Sequence, residues 1–187
     1  MKVICPQNIV NEYPYQGIGV KIGDPFAATF KLYATSWLAF SVDAGFGAHG
    51  LYKSQYSEFF DNFPQGDTTT YFNHKVNRDT YMAVKASYYR KAPKMFKGFE
   101  YYISLGWQFR YVSIQYGYNA ELSPTGTIFG SFTRQIDYMG PDVGIGIEYS
   151  YFDLPVSAFF ELNGMYSIMT DYEFFKVQGG VGLRYIF

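Results

Sequence analysis

The sequence predicts an all-β fold, an eight-stranded antiparallel up-and-down transmembrane β-barrel. Three observations point to it. Aromatic residues make up 22% of the chain, with 20 Tyr and 19 Phe against 2 Trp. A lipid-facing band with two interfacial girdles uses that many rings, and a soluble core does not. No run of about 18 apolar residues exists, so helical membrane spans are excluded. Instead, apolar residues alternate at a period of two with Gly, Ser, Lys, Glu and Gln over eight segments.

The first segment, roughly 15–23, sets Ile18, Val20 and Ile22 against Gly17, Gly19 and Lys21. Asp24-Pro25 makes a turn. The second, roughly 26–35, sets Ala28, Phe30 and Leu32 against Thr29, Lys31 and Tyr33. A tight turn at Thr35-Ser36 leads to the third, roughly 37–48, where Leu38, Phe40, Val42, Ala44 and Phe46 oppose Ser41, Asp43, Gly45 and Gly47. Residues 49–78 break the pattern with Pro64-Gln65-Gly66-Asp67 and three successive Thr, which predicts a long loop. The fourth strand, roughly 79–91, sets Met82, Val84, Ala86 and Tyr88 against Lys85, Ser87 and Tyr89. After Ala92-Pro93-Lys94 comes the fifth, roughly 98–115, with Ile103, Leu105, Trp107, Phe109 and Tyr111 opposite Ser104, Gly106, Gln108 and Arg110.

A second long loop is expected at roughly 117–140. The sixth strand, roughly 142–152, sets Val143, Ile145, Ile147, Tyr149 and Tyr151 against Gly144, Gly146, Glu148 and Ser150. Asp153-Leu154-Pro155 turns into the seventh, roughly 156–168, with Val156, Ala158, Phe160, Leu162 and Tyr166 opposite Ser157, Phe159, Glu161 and Asn163. The eighth, roughly 174–187, sets Val177, Val181, Leu183, Tyr185 and Phe187 against Lys176, Gln178, Gly180, Gly182 and Arg184. Short turns and long loops alternate along the chain, as expected when one barrel end faces the periplasm and the other the outside. Residues 1–14 are then an N-terminal periplasmic segment and 15–187 the barrel.

Alternation alone does not say which face points outward. Glycine placement does. Gly17, Gly19, Gly45, Gly47, Gly106, Gly144, Gly146, Gly180 and Gly182 all fall on the polar face. Glycine weakens strands, so such a cluster needs a reason. A narrow eight-stranded lumen supplies one, because side chains there must fill the space without clashing. The polar face is therefore predicted inside and the Phe/Tyr/Ile/Val face in lipid. The lumen-facing charges are Lys21, Lys31, Lys85, Arg110, Lys176 and Arg184 against Asp43, Glu148 and Glu161. Buried charges require partners, so an interlocked salt-bridge network is expected, with Tyr33, Tyr89 and Tyr102 assisting.

The chain closes on Gly180-Val181-Gly182-Leu183-Arg184-Tyr185-Ile186-Phe187. Gly182, Tyr185 and Phe187 hold the spacing of an outer-membrane assembly signal, with Gly180 where a polar residue is usual. On these residues and the eight alternating strands, the chain resembles the small outer-membrane β-barrels of the OmpA transmembrane-domain and OmpX type, and also the outer membrane protein β-barrel domains common in Bacteroidota. The resemblance covers nearly all of 15–187. It implies a bacterial outer-membrane location, contact with the bilayer and lipopolysaccharide, and insertion by the barrel-assembly machinery acting on the last strand. It does not imply one activity, because the fold hosts many.

The net charge of −1 leaves no nucleic-acid footprint. The lone Cys5 gives no disulfide framework. His49, near Ser54, and His74 are the only histidines and lack the spacing of a His-Ser hydrolase pair. Glu58, Asp61 and Asp67 lack a dense metal-ligand spacing, and no Gly-rich phosphate loop is present. No cofactor is expected. The aromatic residues Tyr52, Tyr56, Phe59, Phe60, Phe63, Tyr71, Phe72, Phe129, Phe132 and Tyr138 lie in the expected long loops, where rings suit binding or loop-on-loop packing. Lys91, Lys94 and Lys97 read as a solvated turn edge.

Three function classes follow. The first is a non-enzymatic structural or interaction barrel, free-standing or an accessory subunit of a larger outer-membrane complex, meeting partners through 49–78 and 117–140. The second is a narrow channel for small or apolar solutes. The third is a lipid A-modifying enzyme. Met1-Lys2-Val3-Ile4 is too short for the apolar core of a secretory signal. The full gene is therefore expected to encode an upstream signal peptide; sequencing upstream of Met1 checks this, and a genuine start at Met1 would count against an outer-membrane destination.

Overall fold

The computed structural model describes residues 13–48, 57, 60, 69–91, 98–122, 126–151, 154–168 and 174–187. Eight antiparallel strands run in order: β1 Tyr15–Asp24, β2 Phe26–Tyr33, β3 Leu38–Phe46, β4 Thr69–Lys91, β5 Phe99–Leu122, β6 Gly126–Ser150, β7 Val156–Tyr166 and β8 Phe175–Ile186. Each pairs with its sequence neighbours, and β1 pairs with β8, from Gly17 opposite Ile186 to Asp24 opposite Gly179, which closes the ring. Closure leaves no sheet edge in the barrel wall, the condition for a strand structure to sit in lipid.

The two faces have opposite chemistry. Ile18, Val20 and Ile22 on β1, Ile103 and Leu105 on β5, Val143 and Ile145 on β6, and Val181 and Leu183 on β8 all point outward and are exposed. Leu105 is 64% exposed. A continuous apolar belt of this extent far exceeds the patches that soluble monomers tolerate. β1, β2, β3, β7 and β8 have 10, 8, 9, 11 and 12 residues, close to the roughly 9–11 residues a tilted strand needs to cross a bilayer. Rings gather at both rims, where amphipathic side chains sit at the lipid–water interface. At the short-turn rim, Trp37 packs 6.1 Å from Tyr88 and Tyr185 stacks 6.3 Å from Phe187. At the opposite rim stand Phe26, Phe46, Tyr166 and Phe175. The belt marks an integral membrane barrel with an inverted, polar interior.

The structure corrects the two long loops. Residues 69–78 belong to β4, and most of 117–140 belongs to β5 and β6. β3 ends at Phe46 opposite Thr80, and β7 ends near Asp142. Beyond that line β4, β5 and β6 continue alone as a three-stranded blade, which at the rise per residue of a strand reaches about 35 Å. On the blade the alternation persists with its chemistry reversed. The face continuing the lumen carries the buried Val112, Ile114, Tyr116, Ile136 and Tyr138. The outer face carries Lys75, Arg78, Thr133, Gln135 and Asp137, all with their side chains at the surface apart from two half-buried neighbours, Ser113 and Gln115. Two irregularities in the β4–β5 register, between Tyr71 and Asn73 and between Val76 and Arg78, interrupt the period further. An apolar outer face is required only where that face meets lipid, so a search for apolar-outward strands stops where the strands leave the membrane. The expected segment 1–14 lies mostly outside the described residues, as do Cys5, His49, Ser54, Glu58, Asp61 and Asp67.

This reversal yields a prediction. Leu105→Arg, in the apolar belt, is expected to cost about 2–4 kcal/mol, the range for arginine on the lipid face of a barrel. Gln135→Arg, on the exposed outer face of the blade, is expected to stay within about 0.5 kcal/mol, as surface substitutions do. Urea unfolding in phospholipid vesicles checks both; equal costs would contradict the placement of the membrane boundary between them.

Candidate functional site

The lumen holds a charge network in three tiers. Nearest the short turns, Glu148 on β6 accepts hydrogen bonds from Tyr33, from Tyr89 Oη at 2.6 Å and from Ser157 Oγ at 2.7 Å. Arg184 Nη1 lies 3.1 Å from its Oε1 and Lys31 Nζ 3.7 Å from its Oε2. The Lys31 ammonium also sits 4.3 Å from the Tyr102 ring centre and 4.8 Å from that of Tyr89, and Arg184 lies 3.9 Å over Phe159. These cation–π contacts add attraction where water is excluded.

In the middle tier, Glu161 Oε1 meets Lys21 Nζ at 2.8 Å and Lys85 Nζ at 3.0 Å. Both lysines also reach Asp43 Oδ2, at 3.0 and 3.5 Å. Glu161 also accepts hydrogen bonds from Asn163 Nδ2 at 3.0 Å and from Tyr102 Oη at 3.2 Å. At the blade end, Arg110 bridges Asp24 at 2.8 Å and Asp79 at 3.3 Å, and Lys176 Nζ lies 3.9 Å from Asp24. Tyr138 Oη is 3.4 Å from both Arg110 and Lys176.

All nine lumen charges predicted from sequence are buried here and take part: Lys21, Lys31, Asp43, Lys85, Arg110, Glu148, Glu161, Lys176 and Arg184. Three acids complete the set. Asp24, Asp79 and Asp142 are also buried, so among the described residues six buried bases face six buried acids. Asp79 and Asp142 share the inward parity of Lys85 and Glu148, and counting the alternation back to the first residue of each strand expected from sequence finds them. Asp24 was hidden in the turn. At Gly23 the backbone takes a positive φ of +152°, a conformation that favours glycine. The alternation slips there, and Asp24 turns inward in place of residue 23.

The glycines do what their placement predicts. A Cβ on Gly180 would lie 2.9 Å from Lys21 Cγ, and one on Gly106 would lie 2.7 Å from Lys85 Cγ. The missing side chains are where the middle-tier lysines run.

A second feature lies on the blade. Phe60, itself in helical conformation, packs on the apolar blade face, with ring centres 5.4 Å from Tyr71, 5.7 Å from Tyr116 and 6.1 Å from Phe132. Tyr138 meets Phe174 edge-on at 5.1 Å. Four of the predicted loop rings, Phe60, Tyr71, Phe132 and Tyr138, therefore build a core. Phe72 and Phe129 instead pair edge-on at 6.4 Å and are 62% and 71% exposed. Tyr52, Tyr56, Phe59 and Phe63 lie outside the described residues. His74 joins the core through a 2.6 Å hydrogen bond between its Nδ1 and Tyr71 Oη. Among the described residues no group of three or more His, Cys, Asp or Glu is arranged to hold a metal. At the opposite end of the last strand, Gly182 turns inward, and Tyr185 and Phe187 point outward at the short-turn rim.

No protein-family model and no curated protein matches the chain. Solved structures do. The N-terminal β-barrel domain of Pseudomonas aeruginosa OprF matches with a TM-score of 0.52 at 13% identity, over 92% of this chain and 96% of that one. Acinetobacter baumannii CarO matches at 0.51 and 12%, over 93% and 98%. A major outer membrane protein from Thermus thermophilus matches at 0.50 and 11%, over 94% and 100%. At such identities the likeness is one of fold: this chain has the fold of the small eight-stranded outer-membrane β-barrels.

The network yields a stability prediction. Glu148→Gln leaves Arg184 and Lys31 buried without their shared counter-charge, which is expected to cost about 3–5 kcal/mol. Lys91→Gln, at an exposed strand end, is expected to change stability by less than about 0.5 kcal/mol. Urea unfolding in vesicles compares them, and a near-neutral Glu148→Gln would contradict the network.

Proposed function

We propose that this chain is a closed, non-enzymatic outer-membrane barrel with a structural or interaction role: a membrane-fixed base that carries a rigid blade outward. The observation that carries this reading is the lumen. Three stacked tiers of paired charges, with Tyr33, Tyr81, Tyr89, Tyr102 and Tyr138 among them, cross the interior. Buried, mutually hydrogen-bonded charges are expensive to separate, so the network acts as a plug. The outer-membrane location rests on the shared fold, the lipid-facing belt and the aromatic rims.

The blade supports the interaction role. Its own aromatic core makes it stiff, and its exposed Phe72–Phe129 pair presents rings to the medium, as binding surfaces do. Partners reached through 49–78 and 117–140 would meet, in the described part of those segments from residue 69 on, β4–β6 strand surface, and an accessory role in a larger outer-membrane complex fits the same geometry. Lipopolysaccharide would surround the belt at the blade-side rim. The barrel-assembly machinery would take hold of β8 through Gly182, Tyr185 and Phe187.

Planar-bilayer recording tests the plug. The purified barrel is expected to show no discrete conductance steps; stable steps from the unaltered protein would favour the channel reading. Deleting Phe187 is expected to lower the amount of folded, heat-modifiable barrel in outer-membrane fractions several-fold while leaving unfolded chain in the periplasm; undiminished insertion would remove the assembly role of that residue.

A further inference from the structure

A band of side chains across one side of the lumen borders the ion-pair tiers and touches them only through Asn163 Nδ2, which donates to Glu161, and the long Lys85–Asp142 pair. It crosses four adjacent strands: Gln108 on β5, Asp142 on β6, Asn163 on β7 and Gln178 on β8. Gln108 pairs with Gly140, Asp142 with Met165, and Asn163 with Gln178, so each side chain is a direct or diagonal neighbour of the next. All four are at least 97% buried. Both amide atoms of Gln108 and of Gln178, both carboxylate oxygens of Asp142, Asn163 Oδ1 and Ser104 Oγ lack a protein hydrogen-bond partner. Lys85 Nζ stands 3.8 Å from Asp142 Oδ1, an ion pair too long for a hydrogen bond.

The wall brings further polar atoms together beside this band. Ser104, Gly144 and Asn163 lie in register across β5, β6 and β7. A Cβ on Gly144 would collide with Asn163 Oδ1 and fall 2.5 Å from Ser104 Oγ. Two unpaired oxygens from opposite sides thus converge over the missing side chain.

Unpaired buried polar atoms carry a heavy desolvation penalty, and folded proteins meet such groups with ordered water where the site is polar and roomy. We infer that Ser104, Gln108, Asp142, Gly144, Asn163 and Gln178 form an internal hydration site, which binds a small cluster of water molecules between the middle tier and the blade-end tier. The balance of groups fits water. Five carboxylate and amide oxygens need donors, two amide nitrogens need acceptors, and the Ser104 hydroxyl serves as either. Water supplies both from one molecule. A bound cation would satisfy the oxygens but not the amide nitrogens. It would also sit beside the Lys85 ammonium in a lumen whose described charges already balance. The water would bridge Lys85 to Asp142 and make this the softest part of the plug.

The test uses the whole barrel in detergent micelles, with Gln108→Met and Gln178→Met as variants. Both amides lack direct protein partners, so their loss breaks no direct hydrogen bond. Water-to-amide cross-relaxation NMR is expected to find long-lived water at the backbone amides of Gly144, Asn163 and Gln178, with the signal weakened in both variants and their Tm lowered. If the band is dry, removing an unpaired amide relieves its penalty; a raised Tm with no water signal in the unaltered protein would overturn the proposal. Stabilisation by sodium chloride that choline chloride at equal ionic strength does not reproduce would overturn it in favour of a cation. Neither result depends on bilayer conductance, so this site and the closed-barrel function fail separately.

Discussion

Every charge sealed inside the barrel must face an opposite charge, and that constraint organises the rest of the molecule. Six bases and six acids among the described residues meet it, and together they come from all eight strands. Because partners come from distant strands, such as Lys21 with Glu161 and Arg184 with Glu148, the ion pairs also tie the circumference together. Tyrosines fill the gaps and donate to carboxylates that would otherwise be short of partners. Glycines give the long cationic side chains a path. None of these choices makes sense on a solvated face.

The same strands obey two solvents. Within the belt, lipid demands an apolar exterior and leaves the polar residues for the lumen. On the blade, water demands a polar exterior, and the apolar residues of β4, β5 and β6 turn inward around Phe60, Tyr116 and Phe132. The switch falls near Thr80, Tyr111 and Asp137, which share a register line. The aromatic core beyond it covers the blade end of the charge network. The membrane-spanning wall and the outer blade thus come from continuous strands and not from separate domains.

Much of this was legible in the sequence, for identifiable reasons. Alternation located all eight strands, and glycine placement oriented them, because a narrow lumen leaves a compositional mark. The nine charges read from parity are all in the lumen. Strand length was not legible above the membrane: the blade residues keep the period but lose the apolar-outward signature, and the register shifts near Asn73 and Arg78 blur even the period. Asp24 was hidden because the backbone at Gly23 moves it to the other face. The unpaired amide band was not legible either, since Gln108, Asn163 and Gln178 are ordinary polar lumen positions until their neighbours are known.

The central claim is that opposite charges in the lumen stabilise one another through contact. A double-mutant cycle on Lys85 and Glu161, 3.0 Å apart, addresses it directly. Unfolding free energies of Lys85→Met, Glu161→Gln and the double variant would be measured in vesicles. Each single change should cost several kcal/mol and the double much less than their sum, a coupling above about 1.5 kcal/mol, within the range found for residues sharing one network. Additive costs would contradict the claim and reduce the lumen to independent side chains packed in a common space.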